Sequence, residues 1–431
     1  MRYRVHQLKL DNGAEGLVVD IPNAVSVYGM LSFAGGYAAV ADFKHKNQVP
    51  QLLTNLATEV AGYKDNEFYN ALTRNGASPN TYSGNTSIEY SVKCPRFDAE
   101  RTLDLIAKSL EQPDINASNL AREKKNLTSK LKSLTTNGGE LIISHTLAHF
   151  GYPRLSPQES LATLDGITPE DIQEYRAQSF TTDNLRFIIA GDFNGDLTVV
   201  DRLRQLDLPR GKRFQCNLST AKSGTQHYFE PYSGAKIILA QAAFALQRPL
   251  ALRDELIVQL ICGLLCGGFD SLVFGEARQH GWAYYASTKR FISNLHTNLP
   301  IIVTFRASEE NIPYMIQLIA NALVELSRGK LDPERLDAIK QTLTGYESMR
   351  YGAASSIANS LSSRYFTTGE MIDLATIPEL IDSITMNDIQ QLTTEILASH
   401  LRVVSVFGDT TELVATAAAA KLDTILNGEE K

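Results

Sequence analysis

One passage of this chain is written twice. Leu164 to Phe193 reads LDGITPEDIQEYRAQSFTTDNLRFIIAGDF, and Ile381 to Thr410 reads IDSITMNDIQQLTTEILASHLRVVSVFGDT. Ile167-Thr168, Asp171-Ile172-Gln173, Leu185-Arg186 and Gly191-Asp192 return as Ile384-Thr385, Asp388-Ile389-Gln390, Leu401-Arg402 and Gly408-Asp409. A self-match spaced by half of a 431-residue chain is too long in period for a solenoid and implies a duplicated domain. Both copies also carry the same local instructions. Thr168 and Thr385 are N-cap residues, and three positions on Asp171 and Asp388 can meet the free amides and positive end of a helix. After a loop, Leu185 to Ala190 and Leu401 to Phe407 are β-branched apolar runs that suit buried strands and stop at Gly-Asp.

Composition bounds what two such halves can be. At 43% hydrophobic and 21% charged residues, the chain can bury two cores. A formal charge of −7 without a dense Lys/Arg block excludes a nucleic-acid backbone as the expected partner. The opening MRYRVHQLKLDNG alternates like a strand and lacks the apolar core of an export signal, so the expected location is cytoplasmic. The most apolar stretch, Leu256 to Phe269, is about half a membrane span and holds Gln259, which reads as a core helix and predicts no membrane segment. Cys94, Cys216, Cys262 and Cys266 are too few and scattered for a disulfide framework. Cys262 and Cys266 are read as packed thiols on one helix.

The Pro-, Gly- and Ser-containing run from Leu206 to Lys236 reads as a linker, which sets domains at 1–218 and 219–431. In the first, Gln7 to Ile21, Ala24 to Phe33 and Ser87 to Lys93 read as strands, and Ala99 to Leu110 and Ala117 to Leu134 as helices. Asn47 to Ala61 places Val49, Leu52, Leu53, Leu56, Ala57 and Val60 on one helical face. The second shows strands at Lys236 to Leu246, around Tyr284 to Phe291 and at Leu299 to Phe305, with a helix at Leu252 to Cys266. This mixed order predicts an α+β fold of two homologous domains, each a mostly antiparallel sheet covered by helices.

Four segments then carry a family resemblance. AGGY at Ala34 to Tyr37, NGASPNTYSGNTSIEY at Asn75 to Tyr90, GYPRLSPQESLATLDGITPEDI at Gly151 to Ile172 and GGFDSLVFGEARQHGWAYYAS at Gly267 to Ser287 resemble, in order and spacing, the pitrilysin/insulinase zinc peptidases. The resemblance spans nearly the whole chain and its duplication. It implies an inverted H-x-x-E-H on the first long helix, two imidazoles holding zinc and a carboxylate serving as base. Here that helix reads NQVPQLLTN: the histidine positions hold Pro50 and Thr54, and the base position holds Leu53. The third ligand position, within EKKNLTSKL, holds Lys130, whose ammonium would repel a metal. The chain is therefore expected to carry no cofactor of its own. His145 and His149 at i, i+4 lack the surrounding carboxylates of a zinc site, and His227-Tyr228-Phe229-Glu230 has the spacing but no second histidine.

What the family pattern retains lies in the second half. Active members use an arginine and a tyrosine from a pattern like L-R-E-K-G-L-A-Y to hold the peptide carbonyl as it gains charge. The corresponding ARQHGWAY places Arg278 and Tyr284 there, with Trp282 for the usual leucine. The competing reading pairs Arg278 with Glu276 or Asp270 and leaves Tyr284 as a strand aromatic. Gly267-Gly268 reads first as a helix C-cap; the resemblance adds close approach by substrate backbone. Asn80 matches an asparagine that the family places on an edge strand where an extended peptide can add, although turn chemistry after Pro79 also accounts for it. The resemblance thus implies a zinc-free subunit paired with a homologous zinc-bearing chain, or with itself, and acting on peptides. The alternative is a structural or peptide-holding protein, similar to the core subunits of respiratory complexes.

Overall fold

The structure is a computed structural model describing residues 3–215, 221, 223–293 and 296–428. Cys216 and the sequence boundary at 218/219 lie outside the described residues. Two sheets organise the chain. The first has the order β1-β2-β6-β3-β5-β4, from β1 (Arg4–Lys9), β2 (Glu15–Asp20), β3 (Ser26–Ala34), β4 (Ser78–Ser83), β5 (Ser87–Pro95) and β6 (Leu185–Gly191). The second has the order β7-β11-β8-β10-β9, from β7 (Gly224–Pro231), β8 (Ile238–Leu246), β9 (Tyr285–Phe291), β10 (Asn298–Ala307) and β11 (Leu401–Gly408).

The duplication read from the sequence is present strand for strand. β2 runs parallel to β6 as β7 runs parallel to β11, and every other pairing is antiparallel. Thus β2-β6-β3-β5-β4 matches β7-β11-β8-β10-β9, with β1 an addition to the first sheet. The fold class is the expected one: two homologous α+β halves, each with a mostly antiparallel sheet under helices. Both repeated helix starts are capping boxes. The Thr168 N–H donates to Asp171 at 2.8 Å and the Thr385 N–H to Asp388 at 2.7 Å, while each threonine hydroxyl accepts the N–H of its aspartate. Burial alone would raise the pKa of either aspartate. Hydrogen bonds from Lys46 and Thr168 outweigh it at Asp171, and those from Thr385 and Arg253 do so at Asp388, so both carboxyls stay below the ordinary value.

Two compact units divide the chain, and neither is continuous in sequence. One comprises Met1–Lys132, Pro157–Asn217 and Ser348–Leu374; the other comprises Ser133–Ser156, Leu218–Glu347 and Ala375–Lys431. Each unit takes a helix from the opposite half at the equivalent point of the repeat. In the first unit the Ala354–Thr368 helix packs Ile357, Leu361 and Tyr365 against Leu17, Val19 and Ile188 of the sheet. In the second, the Gly138–His149 helix packs Leu141 and Ile142 against Leu239 and Phe407, and Leu147 against Ala243 and Val403. This second layer explains why β8 and β11 are buried along their whole length, and why their sequences are mostly apolar rather than alternating. Arg186 and Arg402, the paired arginines of the repeat, are satisfied differently. Arg186 donates to the carbonyls of Tyr365 and Phe366, and Arg402 to the Leu397 carbonyl and the Asp423 carboxylate.

Three local expectations change. Gln7 to Ile21 is not one strand but the β1–β2 hairpin, turned at Gly13, whose φ of +95° suits glycine. The amphipathic segment from Asn47 is α-helical only over Val49–Asn55 before a 3-10 turn at Leu56–Thr58; its predicted face is nonetheless buried, with Leu52 and Leu56 at 0% exposure. The run read as a linker contains β7, an edge strand of mixed polarity that pairs with β11, far along the chain. Its local pattern resembles a loop because its stability comes from that distant pairing.

Candidate functional site

The apolar Leu252–Cys266 helix ends at Gly267, whose N–H donates to the Gly263 carbonyl at 2.7 Å. A Cβ at Gly267 would lie 2.5 Å from that same oxygen, so the tight turn requires glycine, whereas one at Gly268 would meet nothing. The chain folds back: the N–H groups of Leu272 and Val273 donate to Leu264 and Leu265, and the Ser271 hydroxyl donates to the Gly268 carbonyl at 2.6 Å. The short Phe274–Gln279 helix follows and carries Arg278 in its last turn. Gly281, at φ +68°, reverses the chain, and Tyr284 leads directly into β9.

This path brings Arg278 and Tyr284 together. The Arg278 guanidinium lies over the Tyr284 ring at 5.0 Å and over the Phe269 ring at 5.2 Å, held between two exposed aromatics. Such cation–π contacts are worth about 0.5–1 kcal/mol each at exposed sites. The carboxylates proposed as ordinary partners are engaged elsewhere: Glu276 lies 3.8 Å from His280 and Asp270 3.5 Å from Arg335. Among the described residues, the Arg278 side chain has no ion pair or hydrogen bond. Sequence reasoning did not single out Phe269, although an aromatic directly after a Gly-Gly turn was a legible signal. Gly275 keeps it in place, since a Cβ there would strike the Phe269 carbonyl at 2.3 Å. Beyond Tyr284, His280 stacks on Trp282 at 4.5 Å and Trp282 on Tyr314 at 5.2 Å.

The four positions of the family's metal site lie in the first unit; three are taken up by packing and the fourth is exposed. Pro50 opens the Val49–Asn55 helix, where a missing N–H costs nothing. Leu53 is 2% exposed within the apolar cluster of Leu52, Leu56 and Phe68. The buried Thr54 hydroxyl donates to the Gln51 carbonyl at 2.8 Å. Gln51 in turn donates to Asn55 at 2.8 Å and accepts from Ser83 at 3.0 Å, closing a neutral network. Lys130 is exposed on the Ala117–Leu134 helix. These side chains do not fit a zinc ion: they supply no imidazole or carboxylate, and the one hydroxyl is already hydrogen-bonded. No group of three or more His, Cys, Asp or Glu among the described residues is placed to hold a metal.

Asn80 is exposed on β4, an outer strand of the first sheet, opposite Ser91. It belongs to the first unit and the Arg278–Tyr284 pair to the second. The other titratable residues flagged by the sequence are packing groups. His145 stacks on Tyr228 at 3.6 Å, and His149 meets Phe150 edge-on at 4.9 Å. His227 sits on β7, 3.2 Å from the Thr416 hydroxyl. Burial pushes the Cys262 thiol up to about 11 and that of Cys266 up to about 12, so neither is a ready thiolate near neutrality.

Residues 49–154 match the sequence profile of Insulinase (Peptidase family M16), and residues 166–343 match that of the Peptidase M16 inactive domain. No curated protein sequence matches this one. Among solved structures, a peptidase M16 inactive domain from Pseudomonas fluorescens is similar at a TM-score of 0.82 and 17% identity, covering 95% of this chain and 99% of that one. A protease from Helicobacter pylori is similar at 0.81 and 15%, covering 94% and 99%. A chain of complex III from Candida albicans is similar at 0.80 and 12%, covering 97% and 100%. At these identities the structures establish a shared fold, while the two sequence profiles match the segments that carry the degenerate metal helix and the Arg278–Tyr284 turn. The chain belongs to the M16, or insulinase, family of peptidases.

Proposed function

We propose that this chain is the zinc-free subunit of a two-chain M16 peptidase, lending Arg278 and Tyr284 to peptide cleavage directed by a homologous, zinc-bearing partner. The observation that carries the reading is the state of Arg278: a guanidinium held over two rings with its donors uncommitted to any carboxylate. A structural arginine is normally paired, because bidentate carboxylate geometry is its strongest interaction. An arginine pre-positioned by stacking, beside a phenol that is 82% exposed, is poised to donate to a peptide carbonyl as charge develops on its oxygen. Asn80, on the outer strand of the first unit, and Gly268, at the exposed turn of the second, are each proposed to accept extended peptide backbone. Zinc is expected on the partner and not here, and the buried free thiols suit a reducing compartment such as the cytoplasm.

The likeness to a complex III chain favours a second reading, in which the fold serves as a scaffold with no role in cleavage. Co-expression with an M16 chain bearing intact H-x-x-E-H separates the two. The peptidase reading expects cleavage by the pair and little by either chain alone; full activity of the partner by itself overturns it. Elemental analysis of the purified chain is expected to find no stoichiometric zinc.

A further inference from the structure

A cavity of about 1000 Å³ opens beside Tyr284 within the second unit. Its walls are largely apolar and aromatic, with Ile237, Trp282, Tyr284 and Tyr285 among them, and Lys289 and Arg306 also line it. Strand register explains the two cations: Arg306 of β10 stands opposite Tyr285, and Lys289 of β9 opposite Ile302, so all four lie on one sheet face. Both cations are exposed, and neither has an ion pair or hydrogen bond among the described residues. Glu310 is the one carboxylate in the lining, and it accepts from the Ser308 hydroxyl at 3.2 Å. β9 is an outer strand, so its free backbone groups can receive an extended chain at the cavity rim.

We infer that this cavity selects acidic peptides: a peptide carboxylate enters between Lys289 and Arg306, with an apolar or aromatic neighbour against Trp282 and Tyr285. The inference rests on the proposed peptide-gripping role of Tyr284 and names the substrate class for that site. On a chain of net charge −7, a lining with two cations to one carboxylate is net positive and favours an anionic ligand. The carboxylate can be an acidic side chain or a peptide C-terminus.

Trp282 is the chain's only tryptophan, so its fluorescence reports occupancy directly. The full chain is titrated with a blocked, amidated peptide alternating apolar residues with one glutamate, with its glutamine and lysine counterparts, and with the glutamine peptide bearing a free C-terminal carboxylate. The glutamate peptide is expected to bind about 10-fold or more tightly than the glutamine peptide, with the advantage shrinking as salt rises. An equal gain from the free C-terminus would assign the pocket to chain ends. Lys289→Gln and Arg306→Gln are expected to reduce the glutamate-to-glutamine ratio towards one while leaving free Trp282 emission unchanged. Equal binding of all peptides, or an undiminished ratio in both variants, overturns the acidic preference alone. No binding by any peptide overturns the peptide-gripping reading as well.

Discussion

The two places where a peptidase of this family would do its chemistry have been treated in opposite ways. At the family's metal positions on the first helix, Leu53 is packed in the core and Thr54 joins a neutral hydrogen-bonded network with Gln51 and Ser83. Around Arg278 and Tyr284, a charged group and a phenol stand exposed, with side-chain donors that no other described residue takes up. Selection for stability alone favours the first pattern, since buried polar groups cost free energy unless paired. It gives no reason for the second, where a guanidinium is stacked but left without a counter-charge. On the proposed reading, the first site serves packing and the second is kept for a ligand.

Reintroducing a carboxylate at Leu53 should break this contrast most severely. Leu53→Glu places an acid in a cluster 2% exposed, and about 3 kcal/mol or more of stability should be lost at neutral pH. Burial would raise the folded pKa of that acid above its unfolded value, so the penalty should be least at low pH and grow as pH rises. Thermal melts of the variant between acid and neutral pH check the sign. By contrast, Arg278→Ala should shift stability by no more than about 1 kcal/mol.

Phe269 sharpens the other side of the comparison. If stacking positions Arg278, Phe269→Ala should lower turnover of the assembled pair by roughly 2- to 5-fold, the equivalent of about 0.5–1 kcal/mol of cation–π energy. Phe269→Tyr should restore it, and the melting temperature should hardly move. A fall in yield of folded complex with normal turnover per complex would instead make Phe269 structural.

The smallest effects should be equal in the two units. Thr168→Ala and Thr385→Ala each remove one capping-box oxygen and should cost about 1 kcal/mol. Asp171 and Asp388 have folded pKa values below their unfolded ones, so their contributions are complete above the ordinary aspartate range and vanish as pH falls through the folded values. Stability curves from neutrality down to acid should therefore converge with the wild type at low pH. Unequal costs would show that the repeat has diverged energetically where its geometry has not.

Much of this was legible in the chain, for identifiable reasons. The repeat, both capping boxes and the bounds of the Leu252–Cys266 helix follow from local patterns that tertiary context only confirms. β7 was hidden because it is an edge strand stabilised by a partner far along the sequence. The exchange of the Gly138–His149 and Ala354–Thr368 helices was hidden too: an apolar face shows that a helix is buried but not which sheet buries it. At the site, the family resemblance, and not spacing by itself, pointed to Arg278 and Tyr284. The stacking of Arg278 over the Phe269 and Tyr284 rings, and the placing of Lys289 and Arg306 on one face, needed the turn geometry and the strand register.

The central claim is that this chain supplies side chains, and not a metal, to a shared site. Turnover per mole of purified complex, measured for Arg278→Ala and Tyr284→Phe with the zinc-bearing partner, tests it most directly. The account predicts intact assembly, a nearly unchanged melting temperature and a rate lowered on the order of 100- to 1000-fold, as for loss of a pre-organised oxyanion donor. Unchanged turnover in both variants would contradict it.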